Sequence, residues 1–287
     1  MLNIDLHCHS NMSDGVLSPA EVVARAAANG VHALALTDHD DVAGIATAQA
    51  VAATAGLRLI PGVEISVSWG GQTVHIVGLR IDPRHPELAA GLHGIRLGRV
   101  ERARRMGDDL AQSGIAGAYA GACGYAANKQ LVGRTHFARW LVAQGHVPDM
   151  RAAFRRFLTR GNPGYVEHEW TTLENAVGWI HASGGTAVIA HPGRYAFNAR
   201  ELHLLLDAFR ALGGEGIEVI SGTHHPTEYG KFADLARAFS LKASRGTDFH
   251  APGEGPGIGP LPALPHYCHP VWQGWPELAA HFSSSLA

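Results

Sequence analysis

The segment Asp5-Leu6-His7-Cys8-His9 closes a short apolar run with two histidines one residue apart. In extended backbone, residues two apart share a face, so His7 and His9 present their imidazoles together. Imidazole is the commonest protein ligand for zinc, manganese and iron. One His-x-His says little, but the placement recurs. Asp14, His39 in Thr37-Asp38-His39-Asp40-Asp41, Glu64 after Pro61-Gly62-Val63, His75, His191 in Ala190-His191-Pro192, and Asp248 and His250 in Thr247-Asp248-Phe249-His250 each end a short apolar run or lie just beyond one. Taken singly, His39 or His75 reads as a structural histidine. Taken together, donors at so many strand ends restrict the chain to a barrel or sheet that gathers them at one end.

Composition supports metal chemistry. The chain has 19 His in 287 residues at a net charge of only -2. Excess His without excess Lys or Arg favours metal binding over a polyanion-binding surface, and argues against tracking along long RNA. Hydrophobic content of 46% and charged content of 17% describe a globular chain, either one large domain or a domain with an insertion. No apolar run approaches the roughly 20 residues of a membrane span, and no basic-then-apolar leader opens the sequence. Cys8, Cys123 and Cys268 offer no disulfide framework, so the expected compartment is a reducing cytoplasm. Cys8 points away from its histidine neighbours and reads as a small buried hydrophobe.

Along the chain, residues 2–8 read as a strand. Ser18-Pro19-Ala20-Glu21 carries a capping box with proline in the first turn, so it opens a helix that Asn29-Gly30 stops. Val31–Thr37 is the next strand, 42–55 the next helix, and Gly56 ends it. Leu57–Pro61 is strand-like, and Ile65–Trp69 and Thr73–Leu79 form a hairpin about Gly70-Gly71. Helical pattern then dominates from about Glu87 to Gly161, including Arg96–Gln112, Thr135–Gln144 and Met150–Arg160. Alternation resumes with a helix over Thr172–Ser183, a strand over Thr186–Ala190, a helix over Ala199–Leu212, a strand over Gly216–Ile220, a helix over Thr227–Phe239 and a strand over Lys242–Arg245. A Gly/Pro-rich loop runs from Ala251 to Pro265. Alternating strands and helices imply an α/β barrel or doubly wound sheet with a helical insertion.

Six motifs in order, Asp5-x-His7-x-His9-Ser10 with Asp14, Thr37-Asp38-His39, Glu64, His75, Ala190-His191-Pro192 and Asp248-x-His250, resemble those of the polymerase-and-histidinol-phosphatase (PHP) domain of the amidohydrolase superfamily. The resemblance covers about three quarters of the chain. It implies an α/β fold, a distorted TIM-like (β/α)7 barrel with an inserted helical cap: barrel over residues 1–92 and 166–287, cap over 93–165. It also implies two or three divalent metals, manganese foremost, with iron and zinc as alternatives. His7, His9, Glu64 and Asp248 would hold one, Glu64, His75 and His191 a second, and Asp14, His39 and His250 the third. Mixed imidazole and carboxylate donors suit those ions, and no thiolate selects zinc. Asp38 would buttress a ligand rather than bind metal.

Phosphate recognition also needs cationic groups. Arg194 follows His191 closely, and Arg134 sits at a helix start with Lys129 nearby, where anions are favoured. From sequence alone Arg134 reads equally as an ordinary exposed residue. Gly133-Arg134-x-His136-x-Ala138, Phe157-Leu158-x-x-Gly161-x-Pro163-Gly164-Tyr165-Val166 and His191-Pro192-Gly193-Arg194-Tyr195 resemble one PHP subfamily, which implies removal of the 3'-phosphate of 3',5'-nucleotide bisphosphates such as pAp. Arg134, His136 and Lys129 from the cap and Arg194 from the barrel would contact substrate, and Tyr165, Trp170 or Tyr195 would stack on the base or pack insert against barrel. His224 and His225 are further phosphate-binding or supporting candidates. The expected chemistry is in-line attack by a hydroxide that the metals generate, with no side-chain nucleophile. Alternative readings are a 5'-3' exoribonuclease on short oligoribonucleotides, a histidinol-phosphate phosphatase, and a non-enzymatic metal-binding scaffold. The expected partner is a small nucleotide, with no membrane and no stable protein partner.

Overall fold

A computed structural model describes residues 2–259 and 261–278. Element order is β1 (Ile4–Asp5), α1 (Pro19–Ala28), β2 (Ala33–Leu36), α2 (Ile45–Ala55), β3 (Arg58–Trp69), β4 (Gln72–Leu79), α3 (Pro86–Gln112), α4 (Ala118–Gly124), α5 (Arg134–Ala143), α6 (Met150–Ala153), α7 (Leu173–Ala182), β5 (Thr186–Ile189), α8 (Ala199–Ala211), β6 (Gly216–Ser221), α9 (Tyr229–Ala238) and β7 (Lys242–Gly246). The seven strands lie in sequence order. The last meets the first: Leu6 N–H donates to Arg245 O at 3.0 Å, Asp248 N–H to His7 O at 2.9 Å, and Cys8 bridges Phe249. The result is an α/β barrel. Pairing is parallel except across β3–β4 and β4–β5, where the hairpin about Gly70-Gly71 reverses the chain.

Local signals with short range are realised as expected. Ser18 and Glu21 close a reciprocal capping box at α1, and Gly56 adopts φ 68° to end α2. Elsewhere the strands differ from expectation. β3 is one twelve-residue strand, because its first half pairs with β2 and its second with β4. The expected strand over residues 2–8 shrinks to two residues. Beyond Asp5 the chain makes only single contacts with β7, which frees His7 and His9 to turn inward. A Cβ at Gly246 would lie 2.2 Å from that of His7, so only glycine lets the two segments meet there. The expected helix over Met150–Arg160 is a four-residue α-turn followed by a π-helical turn over Phe154–Leu158. Pro260 and residues 279–287, which belong to the expected tail loop and barrel, lie outside the described residues.

The helices between β4 and β5 have their own hydrophobic core, including Met106, Leu110, Phe137, Leu141 and Leu158. The expected boundary at residue 93 falls inside a helix. In α3, Leu88, Leu92 and Ile95 belong to the barrel core, whereas Ala103, Met106 and Leu110 belong to the second one.

Candidate metal centre and anion cavity

The donors form one buried cluster: most lie beyond strand ends as expected, but Glu64 sits inside β3 and His75 inside β4. His7 Nε2 and His9 Nε2 are 3.1 Å apart, and each lies 3.2 Å from Glu64 Oε2. Asp248 Oδ1 stands 3.5 Å from His7 and 3.2 Å from His9. Around the other Glu64 oxygen, His75 Nδ1 lies at 2.9 Å and His191 Nε2 at 2.8 Å. His250 Nε2 lies 3.3 Å from Asp14 Oδ1, with His39 Nε2 and His9 Nδ1 each at 4.0 Å. His39 also turns Nδ1 to Glu64 Oε2 at 3.0 Å, so it borders two groups of donors.

This donor set fits divalent cations. Asp14 Oδ1, Glu64 Oε2 and Asp248 Oδ1 are buried and accept no hydrogen bond, although imidazole nitrogens surround each. Leaving buried carboxylate oxygens unmatched costs roughly 1–3 kcal/mol each, more when charged. Their lone pairs converge on shared points rather than on one another's protons, as cation ligands do. Three groups of His, Asp and Glu have donor atoms within 4.8 Å of one another.

Electrostatics lead the same way. Burial opposes charge on Glu64, but His39, His7 and His75 hold it well below the ordinary carboxylate range. Burial likewise opposes charge on Asp248, and His7, His9 and His250 overcome it. Burial disfavours imidazolium at His9, yet the carboxylates of Asp248 and Glu64, each 3.2 Å away, push it up to about 10. Burial and Arg194 push His191 down to about 4. The carboxylates therefore attract positive charge against the cost of burial.

Backbone and neighbours hold the donors in place. His191 (φ 26°), Asp248 (φ 52°) and Asp40 (φ 49°), next to His39, are among the few non-glycine residues with positive φ. Tyr195 Oη donates to Ala190 O at 2.7 Å and accepts from His75 N–H at 2.9 Å, tying two ligand segments together. Its ring is not among those that line the cavity beside the cluster. Asp38 accepts from Ser10 N–H, Ser10 Oγ and Ser13 Oγ at 2.8, 2.6 and 2.6 Å, so it shapes the loop between His9 and Asp14 as a buttress. Cys8 is buried, and its thiol donates to Ala35 O at 3.2 Å.

A cavity opens beside the cluster, lined by Asp14, His39, His75 and His250 and by four arginines, Arg99, Arg102, Arg134 and Arg194. Arg194 bonds Asp248 at 3.0 Å, and Arg99 is paired with Asp40. Arg102 donates to a backbone carbonyl, Val166 O at 3.2 Å, and has no carboxylate partner among the described residues; burial plus Arg134 and Arg99 lower it to about 9. Burial and the guanidiniums of Arg194 and Arg99 also lower Arg134. Buried guanidiniums that repel one another define a site for an anion. Sequence reasoning missed Arg99 and Arg102; their spacing of three residues puts them on one face of α3, within a stretch that read only as helix.

Several expected substrate contacts lie elsewhere. The Lys129 ammonium binds Cys123 O and, at 2.6 Å, Ala126 O, carbonyls at and just past the end of α4. His136 is buried and accepts from Gly133 N–H at 3.1 Å, bracing the start of α5. His225 is exposed and bonds its neighbour Thr227 at 2.8 Å. Its neighbour His224 is the buried one, accepting from Gly193 N–H at 3.1 Å behind Arg194. Trp170 lines the cavity but carries Arg99 and Arg102 over its ring at 4.6 and 5.4 Å, which occupies the face a base would need. Tyr165 does line the cavity, and so does Phe154, which sequence reasoning also missed.

Charge is divided between the two cores. Residues 93–165 hold twelve Lys and Arg against four Asp and Glu, a net +8, so the rest of the chain carries -10 of the total -2. The whole-chain value concealed this division.

Known proteins were compared with the chain. A PHP domain model matches residues 5–219. A Chromobacterium violaceum protein named 3',5'-nucleoside bisphosphate phosphatase is 55% identical over 274 residues, spanning 95% of this chain and 96% of that one. A Haemophilus influenzae 5'-3' exoribonuclease is 43% identical over 94% and 97% of the two chains. An amidohydrolase structure from C. violaceum, solved with bound sulfate and no metal, superposes with a TM-score of 0.93 over 97% of this chain and 96% of that one, at 55% identity. Motifs, barrel and family match agree: the chain belongs to the PHP domain family.

Proposed function

We propose that this chain is a metal-dependent phosphoric ester hydrolase that removes the 3'-phosphate of 3',5'-nucleotide bisphosphates such as pAp, giving a 5'-mononucleotide and phosphate. The observation that carries the reading is one cavity lined both by carboxylate and imidazole donors and by four arginines. A bisphosphate has an anion for each. The named activity of the C. violaceum relative supports it.

His7, His9, Asp14, His39, Glu64, His75, His191, Asp248 and His250 would hold two or three divalent cations, with manganese the best match to nitrogen and oxygen donors free of thiolate. Bound there, the metals supply Lewis-acid stabilisation and make water acidic enough to attack near neutral pH. The chain's own residues orient and neutralise the substrate. Arg194 stands at the metal cluster, where it can pair with the reacting phosphate. Arg99, Arg102 and Arg134 receive the distant one, and that anchoring positions the reacting phosphorus. No side chain is placed as a nucleophile. Ser10 Oγ is committed to Asp38, and burial raises the Cys8 thiol well above its ordinary value. Residues 93–165 act as a cap over the site; their separate core and their share of the cavity wall support this. Cys8, Cys123 and Cys268 are all free, which favours a reducing cytoplasm. No helix among the described residues is long and apolar enough to cross a membrane.

One observation favours a second substrate, a short oligoribonucleotide cut from its 5' end. A further cavity adjoins the cluster at Asp248 and His250, lined also by Met150, Phe154, Thr223 and Glu254. It leaves room for a nucleotide esterified to the reacting phosphate. Histidinol phosphate has one anionic group, for the metals, and its cationic histidinol end would meet the arginines and be repelled. A metal-binding scaffold would have no use for an arginine cavity beside its donors. The test compares pAp, histidinol phosphate and a 5'-phosphorylated trinucleotide as substrates with manganese, in native protein and in Arg134→Ala. Arg134→Ala should lower kcat/KM for pAp by about tenfold to a hundredfold, the loss of a charge-assisted contact worth roughly 1.5–3 kcal/mol. An aryl phosphate, lacking the second phosphate, should change little. Equal loss on both would count against the distant-phosphate assignment.

A further inference from the structure

Asp14 differs from the other carboxylates of the cluster in where its hydrogen bond comes from. Glu64 and Asp248 are surrounded by barrel residues. Asp14 Oδ2 instead accepts from Thr135 Oγ1 at 3.0 Å, and Thr135 belongs to α5 in the helical insert, 121 residues away. The other Asp14 oxygen is buried without a hydrogen-bond partner and faces His250, His39 and His9. One carboxylate thus has one oxygen bonded by the insert and the other left for a cation. His39 is tied to the insert as well. The next residue, Asp40, has its carbonyl bonded by Arg96 at 2.8 Å and its carboxylate by Arg99 Nε at 2.7 Å, and Asp41 accepts from Asn128 at 2.7 Å.

We infer that Thr135 is a positioning residue for the cation site formed by Asp14, His39 and His250, so that this site alone is completed by the cap. The inference rests on the reading of that donor cluster as a metal site. The hydroxyl fixes the carboxylate's rotation by taking Oδ2, and so aims Oδ1 at the three imidazoles. A freely turning carboxylate would share its time between the two directions. Such outer partners of metal ligands typically change metal affinity tenfold to a hundredfold when removed. Thr135 is preceded by Arg134, which lines the arginine side of the cavity, so the same turn of helix serves the anion pocket and this cation site.

The test is a manganese titration of chelator-stripped full-length protein, following free Mn(II) by electron paramagnetic resonance, with melting temperature recorded for each protein. Native protein and Thr135→Ser, which keeps the hydroxyl, should each take up three ions. Thr135→Val, similar in shape but without the donor, should bind one of the three at least tenfold more weakly, with the other two affinities and the melting temperature of the stripped protein unchanged. Asp14→Asn should weaken the same ion. Three native affinities in Thr135→Val would overturn the role of Thr135 while leaving the metal reading intact. So would a loss spread over all three sites together with a lowered melting temperature. A native protein that binds the same number of ions as Asp14→Asn, with the same affinities, would overturn the metal reading at Asp14 and this inference with it.

Discussion

Glu218 Oε1 lies 2.7 Å from Nδ1 of His7 deep in the barrel. Its other oxygen accepts from the backbone N–H of His191 at 2.6 Å. One buried carboxylate therefore fixes the ring of one donor and the main chain of another. It leaves His7 Nε2 as the nitrogen that faces the cluster, and it supports His191 in its unusual backbone conformation. Glu218→Gln should weaken metal retention about tenfold to a hundredfold, measured by competition with a chromophoric chelator. Native retention would remove Glu218 from this role.

Glu64 sits between two donor groups, one oxygen toward His75 and His191, the other toward His7, His9 and His39. Glu64→Gln should be the most damaging single change in the cluster. Elemental analysis after growth with manganese should show the loss of two ions per chain, and kcat should fall by at least about a hundredfold, since metal-ion stabilisation is worth several kcal/mol. Full metal content in that variant would contradict the bridging arrangement.

The arginine side of the cavity should respond to anions even without metal. In chelator, phosphate or sulfate at about a hundred times its Kd should stabilise the fold by roughly 2.7 kcal/mol, a rise of several degrees in Tm. Arg102→Met removes one of the mutually repelling guanidiniums. Its anion-free Tm should not fall, while its anion-induced rise should shrink by at least half. An undiminished rise would place the anion elsewhere.

His136 supplies a pH dependence of stability. Burial lowers it to about 4 in the folded chain, from an ordinary value of 6.5. The unfolded chain then takes up its proton first as pH falls. The contribution is complete above pH 6.5 and is lost progressively as pH drops toward 4, by about 3 kcal/mol in all. Urea unfolding of metal-free protein across that range should give a shallower acid limb for His136→Gln than for native protein. Parallel limbs would mean that His136 is protonated when folded.

The readable parts of this protein are those encoded over short distances. The capping box at Ser18 and Glu21, the stop at Gly56 and the hairpin turn at Gly70-Gly71 each depend on a few neighbours. The candidate donors were legible because each ends an apolar run or lies just beyond one. Glu218 was not. Its reach to both His7 and His191 depends on the irregular register of β6 against β7 and on barrel closure, neither written in local pattern. Arg99 and Arg102 were hidden for a similar reason: a basic helix stripe normally faces solvent, and only packing against Trp170 turns it inward. Conversely, Lys129 and His225 carried suitable chemistry in suitable neighbourhoods, and nearby carbonyl and hydroxyl groups captured both.

Helix α3 has one further consequence. At 27 residues it is about 40 Å long, and it enters both hydrophobic cores without a break. The chain returns to the barrel through Thr171, which pairs with Val67 in β3. A rigid beam on one side and a segment bridged to β3 on the other thus join the halves of the molecule. Such a joint resists a clamshell swing, so the distance between arginines and metal donors is set at folding rather than reset at each turnover. New substrates would then be accommodated by exchanging side chains along the cavity wall, because the frame itself has little slack to give.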